Sequence, residues 1–157
     1  MIIHALLALS LSFGIGVKRE SPISAYDGIY MIRFSSGPVG FEGGYSYHKA
    51  GYRGDLRGYR TDLWGSGGLY LSASYLRFYP HMGFGRYLIE PVESESYEPI
   101  GGYLGAVGLS AEWDIPKTNT AVFGGVDITK LFGRPQTFDD LFWSVSGGVM
   151  FRAVELP

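Results

Sequence analysis

The chain has 157 residues, a formal charge of −2 and no cysteine. That length suits one domain, residues 1–157. The near-neutral charge gives no bulk attraction to nucleic acid, and the missing thiols exclude a disulfide framework or a thiolate metal site.

Glycine (24) and tyrosine (12) are both abundant, whereas lysine occurs only at Lys18, Lys49, Lys117 and Lys130. A sheet that faces lipid and carries aromatic girdles has this bias.

Residues 1–17 are apolar enough for a signal-peptide core, but they lack a positive start and a clear small-x-small cleavage site. Their second half alternates, with Leu7, Leu9, Leu11, Phe13, Ile15 and Val17 on one face, so the segment is read as a first strand. Residues 18–27 read as a polar loop. A second strand is expected from Gly28 to Ser35, a turn at Ser36-Gly37-Pro38, and a third strand from Val39 to His48. Lys49 to Ser66 reads as a long loop that contains Arg53-Gly54-Asp55, a tripeptide expected to be plain solvated loop.

The fourth strand is placed at Gly67 to Tyr79. Its phase slips after Tyr75, where a bulge would account for it. Pro80-His81 is expected to turn the chain into a fifth strand, Met82 to Glu90. Pro91 to Pro99 is an acidic loop with Glu93, Glu95 and Glu98.

The strongest signal is Tyr103 to Thr129. Tyr103, Gly105, Val107, Leu109, Ala111, Trp113 and Ile115 alternate with a face that becomes small and then acidic at Glu112 and Asp114. Pro116 to Asn119 turns, and the alternation resumes from Thr120 to Thr129. Strands of ten or so residues exceed the usual globular length and match what a tilted strand needs to cross a bilayer. After a loop at Leu131 to Asp140, an eighth strand is expected from Leu141 to Ala153. Short and long connections alternate, as in an all-β, eight-stranded, antiparallel up-and-down transmembrane β-barrel.

A soluble lipocalin-like barrel would alternate as well, so the content of the faces decides. The small and polar face carries Arg33, Glu42, His48, Glu112, Asp114, Asp127 and Arg152, with Arg86 and Glu90 assigned to it too. These residues suit a narrow lumen in which acids and bases pair, and the opposite face suits lipid.

The final strand, Trp143-x-Val145-x-Gly147-x-Val149-x-Phe151, is similar to the C-terminal assembly signal of small eight-stranded outer-membrane barrels of the OmpA/OmpX type. Essentially the whole chain resembles that family in strand pattern and loop alternation. It departs from the family in that Arg152 to Pro157 follow the aromatic Phe151. The resemblance implies a bacterial outer-membrane monomer without a cofactor. Its surroundings would be the bilayer and lipopolysaccharide, and the barrel-insertion machinery would be its partner during assembly.

The expected role is structural or surface-interacting and non-enzymatic, with a filled polar lumen. A lipid A acyl hydrolase or transferase is the enzymatic alternative, and a narrow pore is a further one. Ser46, His48 and Glu42 share a strand face and are the weak catalytic candidates. A hydrolase needs nucleophile and base within hydrogen-bond reach, and two residues along one strand span roughly 7 Å. His4, His48 and His81 are scattered without metal-ligand spacing, so no metal site is expected.

Overall fold

A computed structural model describes residues 9–21, 26–51, 57–94, 96–133 and 140–156. Its strands are β1 (Leu9–Ser21), β2 (Tyr26–Ser36), β3 (Val39–Gly51), β4 (Arg57–Leu69), β5 (Leu71–Ala73), β6 (Leu76–Pro91), β7 (Ile100–Asp114), β8 (Thr120–Phe132) and β9 (Leu141–Leu156). Sequential long strands pair antiparallel, β4 pairs with β6, and β9 pairs back onto β1. Eight long strands therefore close into an up-and-down barrel, and β5 is a short hairpin partner for the start of β6. Closure removes the unpaired edges that an open sheet would expose.

The register fixes the geometry. One ring of partners runs Leu11, Phe34, Phe41, Gly67, Met82, Val107, Ile128, Trp143 and returns to β1 at Ser21. The circuit comes back ten residues further along the strand from which it left. That stagger accompanies the strand tilt of about 35–45° typical of closed barrels. A bulge at Leu11/Ser12 lies opposite β9, where Leu11 pairs with Val154 and Ser12 with Arg152, so Ala153 is the extra residue.

The end with the tight connections 37–38, 74–75 and 115–119 is here called the lower end. Gly37 has φ 56°, a left-handed conformation that glycine adopts without steric cost. In the 115–119 turn the positive φ falls on Lys117, at 65°, rather than on Asn119.

Four boundaries differ from the sequence reading. The segment 18–27 is not one loop, because β1 continues to Ser21 with Lys18 and Glu20 buried. The segment 49–66 is mostly strand: β3 ends at Gly51 and β4 begins at Arg57. The fourth and fifth strands are not divided at Pro80-His81. The turn is at Ser74-Tyr75, with Ser74 at φ 56°, and β6 runs through Pro80 unbroken. Pro80 is tolerated because the ladder on one side of it is already interrupted. β4 pairs no further down than His81 and β5 no further up than Phe78, so the missing N–H breaks no continuous ladder. The connections at the upper end, 22–25, 52–56, 92–99 and 133–140, are correspondingly shorter than expected. Arg53-Gly54-Asp55 and residues 1–8 lie outside the described residues, as does Glu95.

The outer wall is apolar all the way round. Phe13 and Ile15 on β1, Ile32 on β2, Phe41 on β3, Leu63 on β4, Phe84 on β6, Val107 on β7, Val126 on β8 and Val145 on β9 are all exposed. Soluble monomers rarely expose contiguous apolar patches larger than a few hundred Å². Aromatic side chains concentrate toward the two ends of this band. Trp113, Phe78 and Phe151 lie near the lower end, and Tyr47, Tyr103 and Trp143 near the upper. This is the layout of a wall that faces lipid between two interfacial girdles.

Candidate functional site

The chemistry-bearing side chains project into the barrel and form ionic groups at successive heights. At the lower mouth, Arg77 of β6 grips Asp114 of β7 through two nitrogens, with Nη2 2.8 Å and Nε 3.3 Å from Oδ2. Arg152 of β9 donates to the other oxygen of the same carboxylate.

Above this group, Arg33 of β2 is buried between two acids. Glu42 is its register partner on β3, and Glu112 reaches it from β7 on the far wall. The guanidinium also stands 4.9 Å from the centroid of Tyr79 and 5.7 Å from that of Tyr70. Tyr70 occupies the break between β4 and β5, anchored by its N–H to the Pro38 carbonyl at 2.7 Å. It stacks on Tyr79 at 4.8 Å, and Tyr79 stacks on His81 at 5.0 Å. Three rings therefore climb the wall beside Arg33.

His81 Nε2 lies 2.9 Å from Asp127 Oδ1, and Nδ1 lies 3.0 Å from the Tyr79 carbonyl oxygen. Both partners are acceptors, so only the doubly protonated ring donates to both. Gly108 leaves room for this pair, because an added Cβ would meet the Asp127 carboxylate and the imidazole and displace them.

Near the upper end, Arg60 of β4 bridges Glu20 of β1 at 2.8 Å and Asp62 at 2.9 Å, and Lys18 joins Glu20 at 3.1 Å. Phe142 covers the Arg60 guanidinium, with its centroid 4.8 Å from Cζ. Arg60 and Asp62 are only 1% exposed, which makes their mutual neutralisation a condition for burying them.

Two apolar layers separate these groups. Ile29, Met31, Ala121, Phe123 and Met150 form the lower one, and Tyr87, Ile89, Leu104, Leu131 and Phe142 the upper, with Trp64 touching both. Gly44 makes room for the Trp64 indole, which a Cβ at that position would hit. Between the layers lies a cavity of about 50 Å³ whose walls include Lys18, Glu42, Ser66, His81 and Asp127. That volume holds a small number of water molecules.

Of the residues named from sequence, Arg33, Glu42, Glu112, Asp114, Asp127 and Arg152 point inward. Arg86 and Glu90 do not. On the continuous β6 the even positions Phe78, Met82, Phe84 and Leu88 face outward while Tyr79, Tyr87 and Ile89 are buried, so Arg86 and Glu90 stand on the outer wall. Ser46 is inward and fully buried, but it is four residues from Glu42, about 13 Å along the strand. Glu42 is already bound to Arg33. The His48 side chain lies outside the described residues. His81 is the one histidine whose side chain is described, and both of its nitrogens are engaged, one by the Asp127 carboxylate and the other by the Tyr79 carbonyl oxygen. Among the described residues, no three His, Asp or Glu side chains are grouped to hold a metal ion.

No protein-family model matches the sequence, and no curated protein matches it. Solved structures do match. Neisserial surface protein A superposes with a TM-score of 0.67 at 10% identity, covering 92% of this chain and 95% of that one. The N-terminal β-barrel domain of Pseudomonas aeruginosa OprF gives 0.63 at 16% identity, with 91% and 96% covered. Ail, the attachment invasion locus protein of Yersinia pestis, gives 0.58 at 15% identity, with 92% and 97% covered. The fold is shared with small outer-membrane barrels.

Sequence reasoning missed Lys18, Glu20, Arg60, Asp62, Arg77 and His81 as inward groups. A signal existed for β4, since Arg60, Asp62, Trp64 and Ser66 alternate with Tyr59, Thr61, Leu63 and Gly65. It was masked because Thr61 and Gly65 are not apolar and Trp64 is the large residue of the inward set. For β1, the outward Arg19 ended the apolar series two residues before Ser21.

Proposed function

We propose that this chain is a non-enzymatic bacterial outer-membrane barrel with a structural or surface-interaction role and a lumen that does not conduct substantially. The carrying observation is the closed eight-stranded wall, apolar outside and crossed inside by paired charges. Only a closed barrel or a helix satisfies its backbone in hydrocarbon. An interior of eight strands is just wide enough for side chains to fill. Arg33 bound on opposite sides by Glu42 and Glu112 ties one wall to the other across the path of any solute. The name of the Yersinia relative in fold supports a surface-interaction role for the upper connections, where Glu93 and Glu98 are exposed.

Two measurements test this reading. The purified protein is expected to fold only in detergent or lipid, with a compact form that migrates differently on gels before and after boiling. A well-behaved soluble monomer without detergent rejects the membrane assignment. In planar bilayers the folded protein is expected to show no large, stable conductance. Such a conductance would reject the closed lumen and favour a narrow pore.

A further inference from the structure

We propose that Arg86 on the outer wall binds the phosphate of a membrane-lipid headgroup. The proposal rests on the membrane reading above and adds a defined site to it. Arg86 is five residues below the end of β6 at Pro91, about 13 Å along the barrel axis for a strand rising about 3.3 Å per residue at a tilt of about 40°. Leu88 is exposed on the same outward face above it and Phe84 below it, and its lateral register partners are Leu63 on β4 and Tyr103 on β7. The cation is thus set at the height of the upper aromatic girdle, beside Tyr103, at the edge of the apolar band. No ion pair joins Arg86 to a carboxylate among the described residues. Its surroundings contrast with those of Lys130, which is also outward and is bound to Asp140.

What Arg86 has instead is an aromatic shelf. Its Cζ lies 5.4 Å from the Tyr103 centroid, and Tyr103 stacks on Phe84 at 5.7 Å. A guanidinium lying over a ring leaves its in-plane N–H donors free at the edge, in the planar fork that fits two phosphate oxygens. The shelf orients the fork without neutralising it. Neutralisation at the edge of the apolar band requires an anion held at the height of the girdle. A phosphate carried on acyl chains is held there, because its chains would lie against Leu63, Phe84 and Met82, which are exposed just below. Free phosphate gains nothing from that apolar surface.

The test is native mass spectrometry of the detergent-folded protein titrated with phosphatidylglycerol, with diacylglycerol as the phosphate-free lipid and inorganic phosphate as competitor. Wild type is expected to retain one phosphatidylglycerol in preference to diacylglycerol, undisturbed by inorganic phosphate. Arg86→Gln should weaken that adduct by about tenfold. Lys117→Gln, which removes an exposed cation at the opposite end, should leave it unchanged. Arg86→Lys, which keeps the charge but loses the fork, should bind more weakly than wild type. Equal binding by Arg86→Gln or by Arg86→Lys, equal retention of diacylglycerol, or displacement by inorganic phosphate would each overturn the site. Boiling-sensitive gel mobility of each variant reports the folded barrel separately, so loss of the lipid adduct is not confused with failure of the membrane reading.

Discussion

Arg33→Ala is expected to destabilise the folded barrel by about 3–5 kcal/mol, the cost of leaving buried charge without its partner. The reason is specific to the position. Arg33 is 3% exposed and neutralises two carboxylates that are buried as deeply, Glu42 on the neighbouring strand and Glu112 across the lumen. Removing it leaves two acids facing an interior with little room for water, and it also removes the cation held against Tyr79 and Tyr70. Urea unfolding from phospholipid vesicles, followed by the fluorescence of Trp64, Trp113 and Trp143, measures the loss. Arg152→Ala is the comparison. Asp114 retains Arg77 when Arg152 is removed, and this mouth pair is partly open, with side-chain exposures of 12% and 20%. Its cost should be clearly smaller. Replacing Arg33, Glu42 and Glu112 together with Met, Gln and Gln should recover much of the stability, because no buried charge is then left alone. A loss below about 1 kcal/mol for Arg33→Ala would mean that the two glutamates find protons or water at little cost, and that the Arg33 group does not brace the barrel.

The second large effect is expected on the opposite face. Val107→Arg or Val126→Arg should each cost about 2–4 kcal/mol in the same vesicle assay. Val107 is 54% exposed and Val126 53% exposed on a wall where exposure means contact with lipid. Val107 lies between Trp113 toward the lower girdle and Tyr103 toward the upper one, and Val126 is the same distance along β8 from Val122 and Lys130. Leu141→Arg, at the upper start of β9, should cost only about 0–1 kcal/mol because a long cation there reaches the interface. Near-neutral effects at both valines would place the apolar face away from hydrocarbon and undo the assignment of inside and outside.

Which residues share a face could be read where the two faces differ sharply. From Tyr103 to Thr129 one face carries Val107, Leu109 and Trp113 and the other Ser110, Glu112 and Asp114, and β7 and β8 form there with the expected turn between them. β4 was illegible for the opposite reason. Gly65 and Gly67 on its outer face and Trp64 on its inner face reduce the contrast on which periodicity depends. Pro80 misled because proline most often ends a strand, and only the arrangement of neighbouring ladders shows why it is tolerated here. The misplaced turn left β6 without a phase of its own, and in a strand the phase decides which face every side chain takes. Arg86 and Glu90 were grouped with the lumen charges without that phase, and His81, Arg77 and Tyr79 were overlooked.

The sequence by itself determined the strand character, the inward or outward phase of most strands and the tight turns at Gly37 and Lys117, because each depends on residues that are neighbours along the chain. The tertiary structure decided which inward charges meet. Glu112 reaches Arg33 from a strand 79 positions later, Arg60 reaches Glu20 across 40 positions, and His81 reaches Asp127 across 46. Those meetings follow from the ten-residue stagger accumulated around the closed ring, a property of all the strand registers together that no local stretch of sequence contains.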